Sequence, residues 1–165
     1  MHRLAVLSRP VSLAIILVLI ISIAGAFGWV QHRLDGPMLD TLLTGDVARE
    51  RLAALSDEQQ HLHLITTLSL DSIFPFACSA LLAGLIFRLA REWRQGLVIP
   101  ALLAVPVDLL ENGIQALALL EWIDLLGLKT VLTPLKFALF AAAALIALYL
   151  ISRAIGERLG EEIFK

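Results

Sequence analysis

Four apolar runs, at residues 11–30, 64–87, 98–120 and 131–151, reach the length needed to cross a bilayer. A hydrocarbon core of about 30 Å takes roughly 20 helical residues. Backbone inside lipid must satisfy its own hydrogen bonds, so runs of this kind are read as helices. The expectation is an all-α integral membrane four-helix bundle, one membrane domain over residues 1–165. The chain is 59% hydrophobic and 17% charged, whereas a soluble domain runs nearer half apolar and a quarter charged. A net charge of -2 provides no basic field, and no nucleic-acid partner is expected. The single cysteine, Cys78, lies in an apolar run. It excludes an intrachain disulfide and offers no thiolate zinc cluster.

Arg3 and Arg9 precede the first run, which passes through Ala24-Gly25-Ala26. That triplet is like a signal-peptide cleavage site. The apolar run continues through Trp29 and Val30, so it reads as an uncleaved signal anchor, with Trp29 and His32 at the interface. Residues 34–55 form the only sizeable polar connection before the second span, within an outer loop over 31–63. Asp35-Gly36-Pro37 marks a turn, and residues 46–55 read as a short amphipathic helix. Ser56 and Gln59 fit a capping box that starts the second helix near Asp57.

The link 88–95 carries Arg88, Arg91 and Arg94, whereas the link 121–129 sets one lysine against two acids. Short cytoplasmic loops collect Lys and Arg. With Arg3, Arg9, Arg153 and Arg158, this predicts that both termini and the Arg88 link are cytoplasmic. Residues 31–63 then form a short helical extracytoplasmic segment between spans one and two, and Trp93 and Trp122 mark the two interfaces. The tail 155–165 reads as a charged helical extension.

The third run is not uniformly apolar. Asp108, Glu111, Asn112 and Gln115 stand at i, i+3, i+4 and i+7, which places them on one helix face. Ionisable groups inside a span are costly and mark a site by default. In the second run His63, Thr67, Asp71 and Pro75 repeat every four residues. Pro75 cannot donate to the carbonyl of Asp71, so a kink is expected there, with a freed carbonyl beside the carboxylate. The fourth run adds Thr133 and Lys136.

At about 1.5 Å per residue, Asp71 lies roughly 10 Å from the outer boundary, Gln115 and Lys136 about 8 Å, Glu111 and Asn112 about 12–14 Å, and Asp108 near 18 Å. Three helices thus bring polar groups to the outer half of the membrane, which predicts an outward-facing pocket. Lys136 is taken as the sole interior cation for Asp71, Asp108 and Glu111. One salt bridge leaves acids over, to be protonated, to bind a cation or to line water.

The expected ligand-binding set is Thr67, Asp71, Asp108, Glu111, Asn112, Gln115 and Lys136. Asp71, Asp108 and Glu111 are the acid–base candidates, and His63 is a candidate interfacial relay. His61 and His63 point to different helix faces, and His63 lies about 12 Å along the axis from Asp71. No metal site and no cofactor are expected. Ser69, Ser72 and Ser79 should bond their own helix backbone. Gly84 and the alanines of 137–147 suit close helix contact.

Taken together, His63-x3-Thr67-x3-Asp71-x2-Phe74-Pro75, then Pro100, Pro106 and Asp108-x2-Glu111-Asn112, form a recognisable pair of elements. The chain resembles a group of uncharacterised bacterial four-helix inner-membrane proteins with D-x-x-[FY]-P in one span and D-x-x-E-N in the next. The resemblance covers roughly residues 31–151 and implies fold and topology. Those proteins often carry an aromatic shortly after the Phe-Pro pair, where this chain has Ala77-Cys78.

Two functions fit these residues. One is an inner-membrane protein with an acidic intramembrane pocket for a small polar ligand, a lipid headgroup or a cation, with acid–base chemistry within its reach. The other is a non-catalytic accessory subunit, whose polar stripe only fixes helix register. Membrane lipid, a membrane-protein partner or a second copy are the partners these readings imply.

Overall fold

The computed structural model describes residues 6–90 and 94–163. Among them every regular element is helical. Four helices are long and apolar enough to cross a membrane: Pro10–Leu34, Asp57–Leu89, Gln95–Leu119 and Leu126–Leu159. We label the helices α1 (Pro10–Leu34), α2 (Gly45–Ala53), α3 (Asp57–Leu89), α4 (Ile99–Leu119) and α5 (Lys129–Ile163). Arg3, Arg91, Trp93 and Lys165 lie outside the described residues.

α1, α3 and α5 outrun the apolar runs that announce them. Hydropathy marks where hydrocarbon would be, whereas a helix ends at its caps. α3 shows this directly. Ser56 accepts from the Gln59 amide at 3.4 Å, and Gln59 Oε1 accepts from the Ser56 amide at 3.1 Å. This is the expected capping box, and it starts the helix two turns before the apolar run. Inside α3, residues Thr67–Asp71 form a π-helical turn. Such a turn inserts one residue into the ladder. The irregularity expected at Pro75 therefore appears just N-terminal to it. The freed carbonyl of Asp71 does find a partner, since Asn112 Nδ2 of α4 donates to it at 3.0 Å.

α4 packs along both α3 and α5, and α1 packs chiefly against α3. Only 6% of the most apolar stretch of α1 is buried, so its surface is made for lipid or another helix. Core side chains fall into two apolar layers. Far from residues 35–56, Ala83, Ile86, Ala101, Ala143, Ala147 and Leu150 join α3, α4 and α5. The alanines let these backbones approach closely, as in membrane helix pairs. Gly84 likewise faces the carbonyl of Leu7. At the other end, Leu39, Ala48, Ile114, Ala118, Leu119 and Leu126 form the second layer. The polar residues of α3, α4 and α5 lie between the two.

Residues 35–56 fold over this end. Asp35 takes a left-handed conformation, φ 53°, and closes α1, with Gly36 following at φ 148°, where glycine is favoured. The end of α1 is tied down by Arg51, whose Nη2 donates to the Leu34 carbonyl at 2.7 Å, and by Gln59 Nε2 at 3.1 Å. The Met38 and Leu39 side chains are buried. α2 docks on the link between α4 and α5. The Gly45 amide donates to Thr130 Oγ1 at 3.2 Å, and Arg49 Nε donates to Asp124 Oδ2 at 2.6 Å. That hydrogen bond holds the Asp124 carboxyl below the usual carboxylate range.

A Cβ on Gly45 would sit 2.4 Å from the Leu126 carbonyl oxygen. Backbone opposes it, so α2 has to move. Gly45→Ala is expected to loosen the covering segment by about 1–3 kcal/mol, seen as faster proteolysis between residues 35 and 56 with the bundle still helical. Unchanged cleavage would show that α2 docks elsewhere.

Candidate functional site

α4 contributes the centre of the site. Its i, i+3, i+4, i+7 stripe turns inward, and Asp108, Glu111, Asn112 and Gln115 are each at most 4% exposed. α5 answers with a matching ladder: Lys129, Thr133 and Lys136, also at i, i+4 and i+7 and also buried. Glu111 stands between the two lysines. Its Oε1 accepts from Lys129 Nζ and from Thr133 Oγ1, the latter at 2.6 Å. Its Oε2 lies 2.9 Å from Lys136 Nζ. Lys136 also reaches Asp108 Oδ1 at 3.0 Å. Lys129–Glu111–Lys136–Asp108 is therefore one continuous row of alternating charge.

This corrects the expectation that Lys136 is the sole interior cation. Lys129 is fully buried. It was placed in a loop because the apolar run starts only at Val131, whereas the helix starts at Lys129. The same offset explains how Lys136 meets Asp108. Lys136 lies seven residues into α5 rather than five, and its long side chain covers the remaining depth.

α3 supplies the opposite wall. Asp71 and Thr67 are buried, and Asn112 ties this wall to α4 through the Asp71 carbonyl. His63 is not at an exposed interface. It is fully buried, and its Nε2 accepts from the Leu39 amide at 2.8 Å. An accepting Nε2 puts the ring proton on Nδ1, which lies 3.1 Å from Thr67 Oγ1. A neutral imidazole thus clamps the covering segment to α3. In this arrangement the Nε2 acceptor holds the Leu39 backbone.

The covering segment brings one acid that the sequence reading passed over. Asp40 sits in the turn Leu39–Thr41. Part of its surface is open, but its Oδ1 is buried without a partner. Lys136, Lys129 and Glu111 all lie within its electrostatic reach, and burial pushes its carboxyl above the usual range despite the two lysines. The signal was a lone acid among Met38, Leu39, Leu42 and Leu43.

The site therefore has two halves. Along α4 and α5 the charges are ion-paired, although Glu111 Oε2 faces Lys136 without a hydrogen bond of good geometry. Elsewhere Asp71 Oδ2, Asn112 Oδ1 and both amide atoms of Gln115 are buried without hydrogen-bond partners. Such groups cost about 1–3 kcal/mol each unless something meets them. Of the expected residues, Lys136 meets Asp108 and Glu111, and Asn112 meets the Asp71 carbonyl, whereas Gln115 is buried without a side-chain partner; all of them are buried. Among the described residues, no three His, Cys, Asp or Glu side chains come together as a metal-binding group.

No protein-family model matches the chain, and neither a curated protein nor a solved structure matches it.

Lys129→Met leaves Glu111 with one lysine in a buried position and is expected to cost about 3–5 kcal/mol. Adding Glu111→Gln to it should restore most of that loss, because the buried charge goes too. Thermal unfolding in detergent measures both. If Lys129→Met unfolds like the parent protein, Lys129 is not part of the buried row.

Proposed function

We propose that this chain is a multi-pass bacterial inner-membrane protein with both termini cytoplasmic. In this reading it binds a small polar ligand, a lipid headgroup or a cation in an acidic site beneath its extracytoplasmic segment. The observation that carries this is that Asp71 Oδ2, Asn112 Oδ1 and the Gln115 amide are buried without partners in a bundle that also holds a buried ion-pair row. A network serving only to fix register gains nothing from leaving four buried polar atoms unmet. Asp71 is then the first candidate for acid–base work, since Asp108 and Glu111 are already engaged by lysines. Thr67 lies behind it as the hydroxyl that holds His63.

Topology follows from charge. Lys129 is withdrawn into the bundle, which leaves the link 121–128 with only Glu121 and Asp124 as charged residues. The basic residues near both termini and at Arg88 sit at the other end. Short basic loops stay cytoplasmic, so residues 35–56 face outward. Lipid, a membrane-protein partner or a second copy would meet the exposed flank of α1.

The accessory-subunit reading has one observation in its favour, the fully paired α4–α5 row. The two readings separate on variants of the unpaired half. Asp71→Asn and Gln115→Met should unfold in detergent within a few degrees of the parent protein. Both should fail to complement a deletion strain by at least about tenfold in the affected phenotype, as expected for lost binding contacts. Full complementation, or a loss that tracks unfolding temperature, would sink the binding site. A compartment-sensitive reporter at Thr44 should read extracytoplasmic and one at residue 165 cytoplasmic; the reverse at Thr44 overturns the orientation.

A further inference from the structure

We infer that an anionic phospholipid docks at the end of the bundle away from residues 35–56. One acyl chain lies in a groove between α3 and α4, and the phosphate meets Arg88 and Arg9. This rests on the membrane reading of the four long helices and does not involve the acidic site.

The groove is an apolar cleft of about 350 Å³. α3 lines it with Phe76, Ala80 and Ala83, α4 lines it with Leu102 and Pro106, and Leu7 completes it from just before α1. Among the described residues that line it, only Ser79 is polar. Small side chains at Ala80 and Ala83 leave on α3 the space that a larger residue would fill. Leu7 comes this close because Gly84 carries no side chain: a Cβ there would stand 2.9 Å from the Leu7 carbonyl oxygen.

Depth decides what surrounds the groove. Phe76 stands at the middle of the apolar run 64–87, and Ala83 lies one turn before its end. From Phe76 to Phe87 the helix rises roughly 16 Å, about half of the hydrocarbon core. The groove is therefore contained in one leaflet, where hydrocarbon and not water is the medium. An alkyl chain running from the surface toward the mid-plane follows the same course.

The surface end of the groove is basic. Arg88 Nη1 donates to the Ser8 carbonyl at 3.0 Å, and Ser8 follows Leu7 directly, so the guanidinium is fixed beside a residue of the groove wall. Arg88 stands five residues past Ala83, about 7–8 Å nearer the membrane surface. Arg9, the next residue after Ser8, is exposed, as is Arg88. A guanidinium carries five donors in a planar fork that matches a phosphate, and basic pockets beside membrane helices recognise anionic headgroups. Two arginines at the surface, with an apolar cleft below them in the same leaflet, match the two parts of one anionic phospholipid. A neutral lipid would use the cleft alone, and a soluble anion only the arginines.

The test separates the two parts. Thermal unfolding of the full-length protein in detergent is followed against phosphatidylglycerol, phosphatidylcholine with the same chains, and glycerol 3-phosphate. A saturable rise of at least about 3 °C is expected with phosphatidylglycerol, and a clearly smaller one with the other two. Arg9→Gln combined with Arg88→Gln should raise the half-saturating lipid concentration about thirtyfold. Ala80→Phe, which fills the groove, should raise it at least about tenfold; should that variant unfold early without lipid, Leu102→Trp on the facing wall replaces it. Arg158→Gln, on the exposed end of α5, should leave it unchanged. A flat response, or an equal rise with phosphatidylcholine or glycerol 3-phosphate, overturns the inference. So does an equal loss in Arg158→Gln, or a loss confined to the arginine variant or to the groove variant.

Discussion

Glu111 is held by Lys129 through one oxygen and by Lys136 through the other, in a layer sealed by apolar side chains above and below. A carboxylate at that depth persists only with its partners in place. The demand propagates outward. α5 must begin at Lys129 for its first turn to reach α4, which keeps the link from Leu120 to Leu128 short. That brings the Leu126 backbone against Gly45, where a side chain has no room. The covering segment is thus seated by the same constraint that pairs the charges. Farther down, alanines at 101, 143 and 147 let the three long helices close up, and no polar group is needed there.

The division of the site follows from which helix faces which. α4 presents one polar face, but α5 and α3 meet different parts of it. Toward α5, acids and lysines alternate and close on each other. Toward α3, Asn112 uses its amide nitrogen on a backbone carbonyl and is left with its oxygen. Gln115 uses neither atom. One helix face thus anchors the ion pairs toward α5 and leaves buried polar atoms unmet elsewhere.

Much of this was readable from residue types and spacing. Four apolar runs showed four long helices, and Ser56 with Gln59 fixed the start of α3 to the residue. The i, i+3, i+4, i+7 spacing placed Asp108 through Gln115 on one inward face. What escaped reading was polar residues whose burial comes from tertiary contact. Lys129 stands beside a turn and looks like a loop charge until α5 is seen to start there. Asp40 lies in a polar connection, where an acid is ordinary, and only the fold carries it over the bundle. His63 was placed at an interface because hydropathy starts at Leu64, yet Leu39 covers it. Depth counted along single helices is accurate to a turn or so, and a turn separates a loop lysine from a buried one.

The π-helical turn at Thr67–Asp71 has a consequence for angular register. Four residues of ordinary α-helix overshoot a full rotation by about 40°. A stripe repeating every four residues therefore slides around its helix, and two such steps would carry Asp71 about 80° away from His63. A wider turn rotates less per residue and takes back part of that slide. His63, Thr67 and Asp71 can then all point inward, one toward the covering segment, one between, and one toward α4. The widened turn works as an angular correction that keeps the clamp on Leu39 and the buried Asp71 side chain on the inward side of one helix.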